Sequence, residues 1–192
     1  MAFLSEDAIA ALGFARVGRD VKISDKASFY RPERISIADY VRIDDFSILS
    51  AGDGGIDIGK YVHIGCHAAL IGRGQIVLSD FSGLSGRVSV YSSSDDFSGR
   101  ALAHPTVPED LRQTLHAPVF LGRHALVGGG SIVLPGVTMG QGSSVGALSL
   151  VRDDVEAFWI YAGIPAKKLR PRNRNLLALE AEVLRRESSQ ES

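Results

Sequence analysis

The sequence predicts an all-β solenoid, a parallel β-helix, and three observations carry the prediction. In "LGRHALVGGGSIVLPGVTMGQGSSVGALSLVRDDVE" large aliphatic residues fall at Leu121, Val127, Val133, Met139, Val145 and Val151, six apart every time. Four residues after each comes a small or β-branched residue: Ala125, Ser131, Val137, Ser143, Ser149 and Val155. A period of six matches neither the 3.6 of a helix nor the simple alternation of an ordinary strand. It fits a triangular coil with three flat faces of six residues, each burying one large and one small side chain against the coils beside it.

The elements follow in order. Residues 1–16 form a cap, because "SEDAIAALGF" reads as a short helix with Ser5 as N-cap and Gly13 just past its end. Residues 17–156 form the coils. The earlier markers are Val17, Ile23, Phe29 and Ile35; Ile37, Ile43 and Leu49; Ile58, Ile64, Leu70 and Ile76; then Leu78, Leu84 and Val90. The two-residue frame shifts from Ile35 to Ile37 and from Ile76 to Leu78 read as short corner insertions, and "SAGDGG" at 50–55 as a small loop. Gly59, Gly65, Gly122, Gly128, Gly140 and Gly146 each directly follow a marker, and are expected at tight corners where positive φ costs glycine nothing. After Val90 the count stops and resumes at Leu121, so 92–117 is expected to be a loop extruded between coils. A connection of that length inside a compact domain usually does something. Residues 157–192 hold a C-terminal segment and a helix of about three turns, with Leu176, Leu179 and Val183 on one face and a polar tail beyond.

The bulk numbers bound the rest. The 192 residues amount to one domain, and a formal net charge of -1 offers no field to attract nucleic acid or an acidic membrane. A single cysteine, Cys66, cannot close an intramolecular disulfide, which fits a reducing compartment, and no motif activates it, so a buried inert thiol is expected. The start of the chain lacks a basic n-region and carries Glu6 and Asp7, and no apolar run reaches the length of a membrane span. The expectation is a soluble, cytoplasmic protein with no nucleic-acid or membrane partner.

The phrases "PGVTMG", "GALSLV" and "YAGIPAKKL" in combination resemble the C-terminal half of the hexapeptide-repeat acyltransferases. From "VGRDVKISDKASFY" onward the chain is similar to the bacterial acetyltransferases that modify sugars of surface polysaccharides, the group with the galactoside and maltose O-acetyltransferases. The resemblance implies a left-handed helix, a homotrimer with active sites in grooves between subunits, and acetyl-CoA as donor. The acceptor is a sugar hydroxyl or amine, and no metal is needed.

Acyl transfer from a thioester needs a base for the acceptor's proton, donors for the oxyanion and a cleft for the CoA arm. Histidine suits the first role, since an ordinary imidazole titrates close to neutral pH. In the resembling enzymes the catalytic His precedes Pro in a loop before the solenoid restarts, which implies His104 of the His104-Pro105 pair as general base. His116, two residues before Pro118, is the runner-up within the loop. His63 and His67 sit outside the inward register, either as groove residues or as plain surface side chains. Asp95 and Asp96 are candidates to orient a histidine or hold sugar hydroxyls, with turn capping the equal alternative. For CoA the resemblance implies Gly128, Ala147 and Ser149 along the pantetheine arm, and Arg152, Lys167, Lys168 and Arg170 for the phosphates. Two other classes use the same coil: a zinc hydro-lyase like the γ-class carbonic anhydrases, with His63 and His67 as two of three ligands, and a non-catalytic scaffold.

Overall fold

The structure is a computed structural model and describes residues 2–190. Its strands stack into three parallel sheets, the faces of a triangular coil. Face 1 runs through Arg16–Val17, Ile35–Ile37, Ile56–Ile58, Ile76–Leu78, Val119–Leu121 and Thr138–Met139. Face 2 runs through Lys22–Ile23, Arg42–Ile43, His63–Ile64, Gly83–Leu84, Leu126–Val127, Ser144–Val145 and Trp159–Ala162. Face 3 runs through Ser28–Tyr30, Ile48–Ala51, Ala69–Gly72, Ser89–Tyr91, Ile132–Val133 and Leu150–Val151. Each segment pairs with the one a coil later, so Ile37 faces Ile58, Ile58 faces Leu78, and Leu78 faces Leu121 across the extruded loop.

Both inward registers are buried. Ile23, Ile43, Ile64, Leu84, Val127 and Val145 form one column of the core, and Ala125, Ser131, Val137, Ser143, Ser149 and Val155 are the small residues inside the later coils. The exceptions among the markers are in the first coil, where Val17 is exposed and Phe29 half-buried, because only the short α1, Glu6–Ala11, covers that end. Ser5 caps that helix, its side chain accepting from Ala8 N. Face 2 continues past residue 156: Trp159–Ala162 extends it, and Lys167–Pro171 turns back antiparallel along its edge.

The glycines after the markers have a different cause from the one their sequence suggests. None of the six has positive φ. A Cβ on Gly128 would lie 2.4 Å from Ala147 N, and one on Gly140 2.5 Å from Ala157 N. Close approach of the next coil therefore excludes a side chain there. The left-handed positions come two residues later, and several are not glycine: Tyr40, Tyr61, Phe81 and His124 at one corner, Phe46, His67 and Arg87 at the next. Gly128→Ala is accordingly expected to destabilise the fold by about 1–3 kcal/mol by forcing two coils apart, read as a lower denaturation midpoint in urea.

The aromatic side chains at the first corner stack into a ladder. Ring centroids lie 4.7 Å apart for Tyr40–Tyr61, 4.6 Å for Tyr61–Phe81 and 5.1 Å for Phe81–His124. Helix α2, Leu176–Gln190, runs back over this corner. It is a turn longer than its apolar spacing suggests, because carboxylates rather than aliphatics dock it. Glu180 accepts from Arg123 and from His124 Nε2 (2.6 Å), and Glu187 accepts from Tyr61 Oη (2.9 Å) and Arg19. Burial and this contact with Glu187 push the Tyr61 phenol up to about 12.

The frame shifts do come from corner insertions, placed just before each pair of isoleucine or leucine markers and not between them. Ile35 and Ile37 belong to one strand and both point inward, as do Ile76 and Leu78. The extra residues lie just before, at the third corner, around Arg31, Asp53 and Arg73. The 92–117 loop grows from that same corner one coil on. It is not structureless: Ser93–Asp95 pairs antiparallel with Thr114–His116 as a stem, and Glu109–Leu111 forms a 3-10 turn.

Candidate active site

The third corner and the loop stem enclose a cleft of about 800 Å³. The coils contribute Arg31, Ala51, Asp53 and Arg73; the loop contributes Ser93, Asp95, Pro105, Glu109, Arg112, Thr114 and His116. Backbone hydrogen bonding fixes the stem against the wall. Arg73 N donates to Ser93 Oγ at 2.7 Å, Ala117 N donates to Ser92 O, and Ser92 Oγ donates to Gly74 O at 2.7 Å.

His116 and Asp95 share this cleft. Ser93 Oγ meets His116 Nδ1 at 2.7 Å, which steadies the ring from one side. Asp95 is partly buried and lies two strand positions from His116 along the stem. Asp96 does not line this cleft. Its carboxylate accepts from Ser98 N, Ser98 Oγ, Arg100 N and Ala101 N, and these hydrogen bonds, those of Ser98 foremost, hold it below the usual carboxylate range. Turn capping therefore accounts for Asp96, and its oxygens are engaged within the loop.

His104 is exposed, has φ of 76°, and does not line the cleft; its neighbour Pro105 does. His63 projects from face 2 and pairs with Asp44, Nε2 to Oδ2 2.8 Å. Burial opposes ionisation of Asp44, but hydrogen bonds from Arg42 and His63 outweigh it and keep that carboxyl below its ordinary range. His67 stacks on Phe46 with centroids 4.9 Å apart. His124, unassigned by the spacing, is a structural residue under α2. Cys66 is exposed, contrary to the buried thiol expected, because it occupies a corner just outside the inward register.

The residues implied for CoA divide. Ser149 is buried, donating to Gly146 O at 2.8 Å and accepting from Gly163 N at 3.0 Å, so its side chain is inside the coil and out of reach of a ligand. Ala147 is exposed and Gly128 partly so. Lys168 Nζ sits 3.8 Å from the Trp159 ring centroid and 2.6 Å from Glu156 Oε2, and Arg152 reaches Asp153. Lys167 and Arg170 lie on the exposed edge strand.

Sequence reasoning missed Arg31, Asp53, Arg73 and Arg112. The signal was present: the first three lie one coil apart at the corner whose insertions break the sixfold count.

The parallel coil, the extruded loop and the basic edge strand define a class, and the chain belongs to it: the CoA-dependent sugar acyltransferases of the hexapeptide-repeat, left-handed β-helix fold. It is 48% identical over 181 residues, 94% of each chain, to the dTDP-4-amino-4,6-dideoxy-D-glucose acyltransferase of Escherichia coli. It superposes with a TM-score of 0.92 on AntD, an N-acyltransferase from Bacillus cereus in complex with dTDP and 3-hydroxybutyryl-CoA, at 42% identity over 99% of this chain and 98% of that one. A hexapeptide-repeat acetyltransferase from Vibrio cholerae, complexed with acetyl coenzyme A, shares the fold with a TM-score of 0.63 at 20% identity, over 88% and 79% of the two chains. No protein-family model matches the chain. Family membership displaces both the zinc hydro-lyase and the scaffold readings. No helix among the described residues is long and apolar enough to cross a membrane.

Proposed function

We propose that the protein transfers the acyl group of a CoA thioester to the amino group of a nucleotide-diphosphate-linked deoxyamino sugar, in the cytoplasm and as a homotrimer, during surface-polysaccharide synthesis. The observation that carries the reading is the 48% identity, along 94% of each chain, to an enzyme named for such an acceptor. The cleft supports it, with a carboxylate and an imidazole in its lining two strand positions apart. Asp95 attracts the sugar's ammonium. His116, whose Nδ1 is engaged with Ser93 Oγ, uses Nε2 to take the proton that makes the nitrogen a nucleophile, in the tautomer that carries its hydrogen on Nδ1. The free amine attacks the thioester carbonyl, the tetrahedral intermediate collapses with loss of the C–S bond, and the CoA thiolate leaves and is protonated. The resemblance supports the trimer, as do exposed aliphatics around one corner of two upper coils, Leu126 and Ile132 on one and Leu148 on the next.

The test is acyl transfer, followed as release of CoA thiol, with dTDP-4-amino-4,6-dideoxyglucose and with the corresponding 4-hydroxy sugar. The amine is expected to be preferred by at least about 10²-fold in kcat/KM. Equal use of the hydroxyl sugar refutes amine transfer. Light scattering is expected to give a mass about three times the 20.5 kDa of the chain.

A further inference from the structure

Within the cleft, one carboxylate occupies a position made for something else. Asp53 lies between two guanidinium groups, its Oδ1 2.9 Å from Arg31 Nη1 and its Oδ2 3.1 Å from Arg73 Nη2. The three residues come from the same corner of three successive coils, so the arginines stand two coil spacings apart, roughly 9.6 Å along the stack, with Asp53 on the coil between them. Arg31 has a left-handed backbone, φ 57°, uncommon outside glycine and asparagine, and its side chain also approaches Glu33 at 3.5 Å. A third guanidinium, Arg112, lines the same cleft with its Nε buried and without a hydrogen-bond partner. Arg73 also leans toward Glu109 of the loop, but at 3.5 Å that contact is loose. Two guanidinium forks about one carboxylate, with an unsatisfied third nearby, are the donor set that a diphosphate takes, since each phosphoryl group accepts a pair of parallel N–H bonds.

We propose that Arg31 and Arg73 form the diphosphate-binding clamp for the acceptor nucleotide, and that Asp53 is an internal competitor that fills the clamp until the diphosphate displaces it. The proposal rests on the reading of the acceptor above and deepens it. It also orders the cleft: diphosphate at the coil corner, amine toward Asp95 and His116. Asp53 then keeps the arginines paired and oriented in the free enzyme, at the cost of affinity. Its carboxylate is held ionised down to about pH 2, by Arg31 first and Arg73 second, so it competes throughout the working range.

Calorimetric titration of the full-length protein with dTDP, with inorganic pyrophosphate and with CoA tests this. Arg73→Ala and Arg31→Ala are each expected to weaken dTDP and pyrophosphate at least tenfold and leave CoA affinity within twofold. Asp53→Asn is expected to tighten both diphosphates at least threefold, a gain that loss of folding does not produce. Arg73→Lys, which keeps the charge without the fork, is expected to fall between wild type and Arg73→Ala. If pyrophosphate and dTDP bind the arginine variants as they bind wild type, or if Asp53→Asn weakens them, the clamp is refuted. Should the amino-sugar nucleotide fail as a substrate while pyrophosphate still depends on Arg31 and Arg73, the acceptor assignment falls and the anion clamp stands. Failure of pyrophosphate to bind wild type at all refutes the clamp.

Discussion

His116→Ala is expected to lower kcat with an amino-sugar acceptor by about 10²–10⁴-fold while leaving CoA affinity nearly unchanged. On the reading proposed above the imidazole takes a proton and does not hold CoA; its contact on the loop stem is with Ser93 Oγ. The companion His104→Ala variant is expected to keep activity within about threefold, since that ring stands in solvent outside the cleft. A kcat/KM profile against pH separates the two: removal of the base flattens the rising limb, whereas a loop mutation that only disturbs packing shifts the whole curve. A large loss from His104→Ala with little from His116→Ala returns the role to the residue that the family resemblance implied.

Glu180→Ala is expected to destabilise the protein by about 2–4 kcal/mol and release α2, because it strips His124 and Arg123 of their shared partner while both remain against the wall. Arg123 keeps Asp80 at 2.8 Å, which places the effect toward the lower part of that range. The same contact gives an acid dependence of known sign. The hydrogen bond from Arg123 leads, and with His124 it holds the Glu180 carboxyl below its ordinary value of 4.5 despite burial. A depressed folded-state value means that the stabilisation is complete above about pH 4.5 and lost as pH falls toward the folded value. Acid titration followed by hydrogen exchange along α2 is expected to show loosening of residues 176–189 before the coils, with Glu180→Gln already loosened at neutral pH. Simultaneous loss of helix and coil protection counts against a separately docked strap.

The fold was legible because burial in a solenoid is strictly local. Leu121, Val127 and Val133 have to face inward whatever lies elsewhere in the chain, so the period survives in the sequence without knowledge of partners. The glycines after the markers were placed correctly for the wrong reason: a close approach between coils and a positive φ favour the same residue, and a single sequence does not separate them. The site was less legible. His116 and Asp95 were on the page as candidates, but their company in one cleft depends on the antiparallel stem, whose pairing Ser93–Asp95 with Thr114–His116 leaves no periodic trace in so short a run. Arg31, Asp53 and Arg73 were hidden by their separation of a whole coil, which looks like unrelated surface charge until the corner insertions are stacked. Ser149 shows the converse. Its side chain faces inward, so the contact with the CoA arm that the resemblance implies is left to the backbone.

Docking of α2 has a consequence for how this molecule can change over evolutionary time. Solenoids ordinarily gain or lose whole repeats with little penalty, since each coil needs only its neighbours. Here Glu180 and Glu187 are seven residues apart, a helical rise of roughly 10.5 Å, and they grip His124 and Tyr61, two coils apart at about 9.6 Å. The helix is thus a ruler laid along the stack. Removing the coil that carries Phe81, or duplicating it, would put the two grips out of register by one strand spacing and leave a carboxylate facing the wrong rung. The count of coils between Tyr61 and His124 is fixed by a measurement made on the outside of the solenoid.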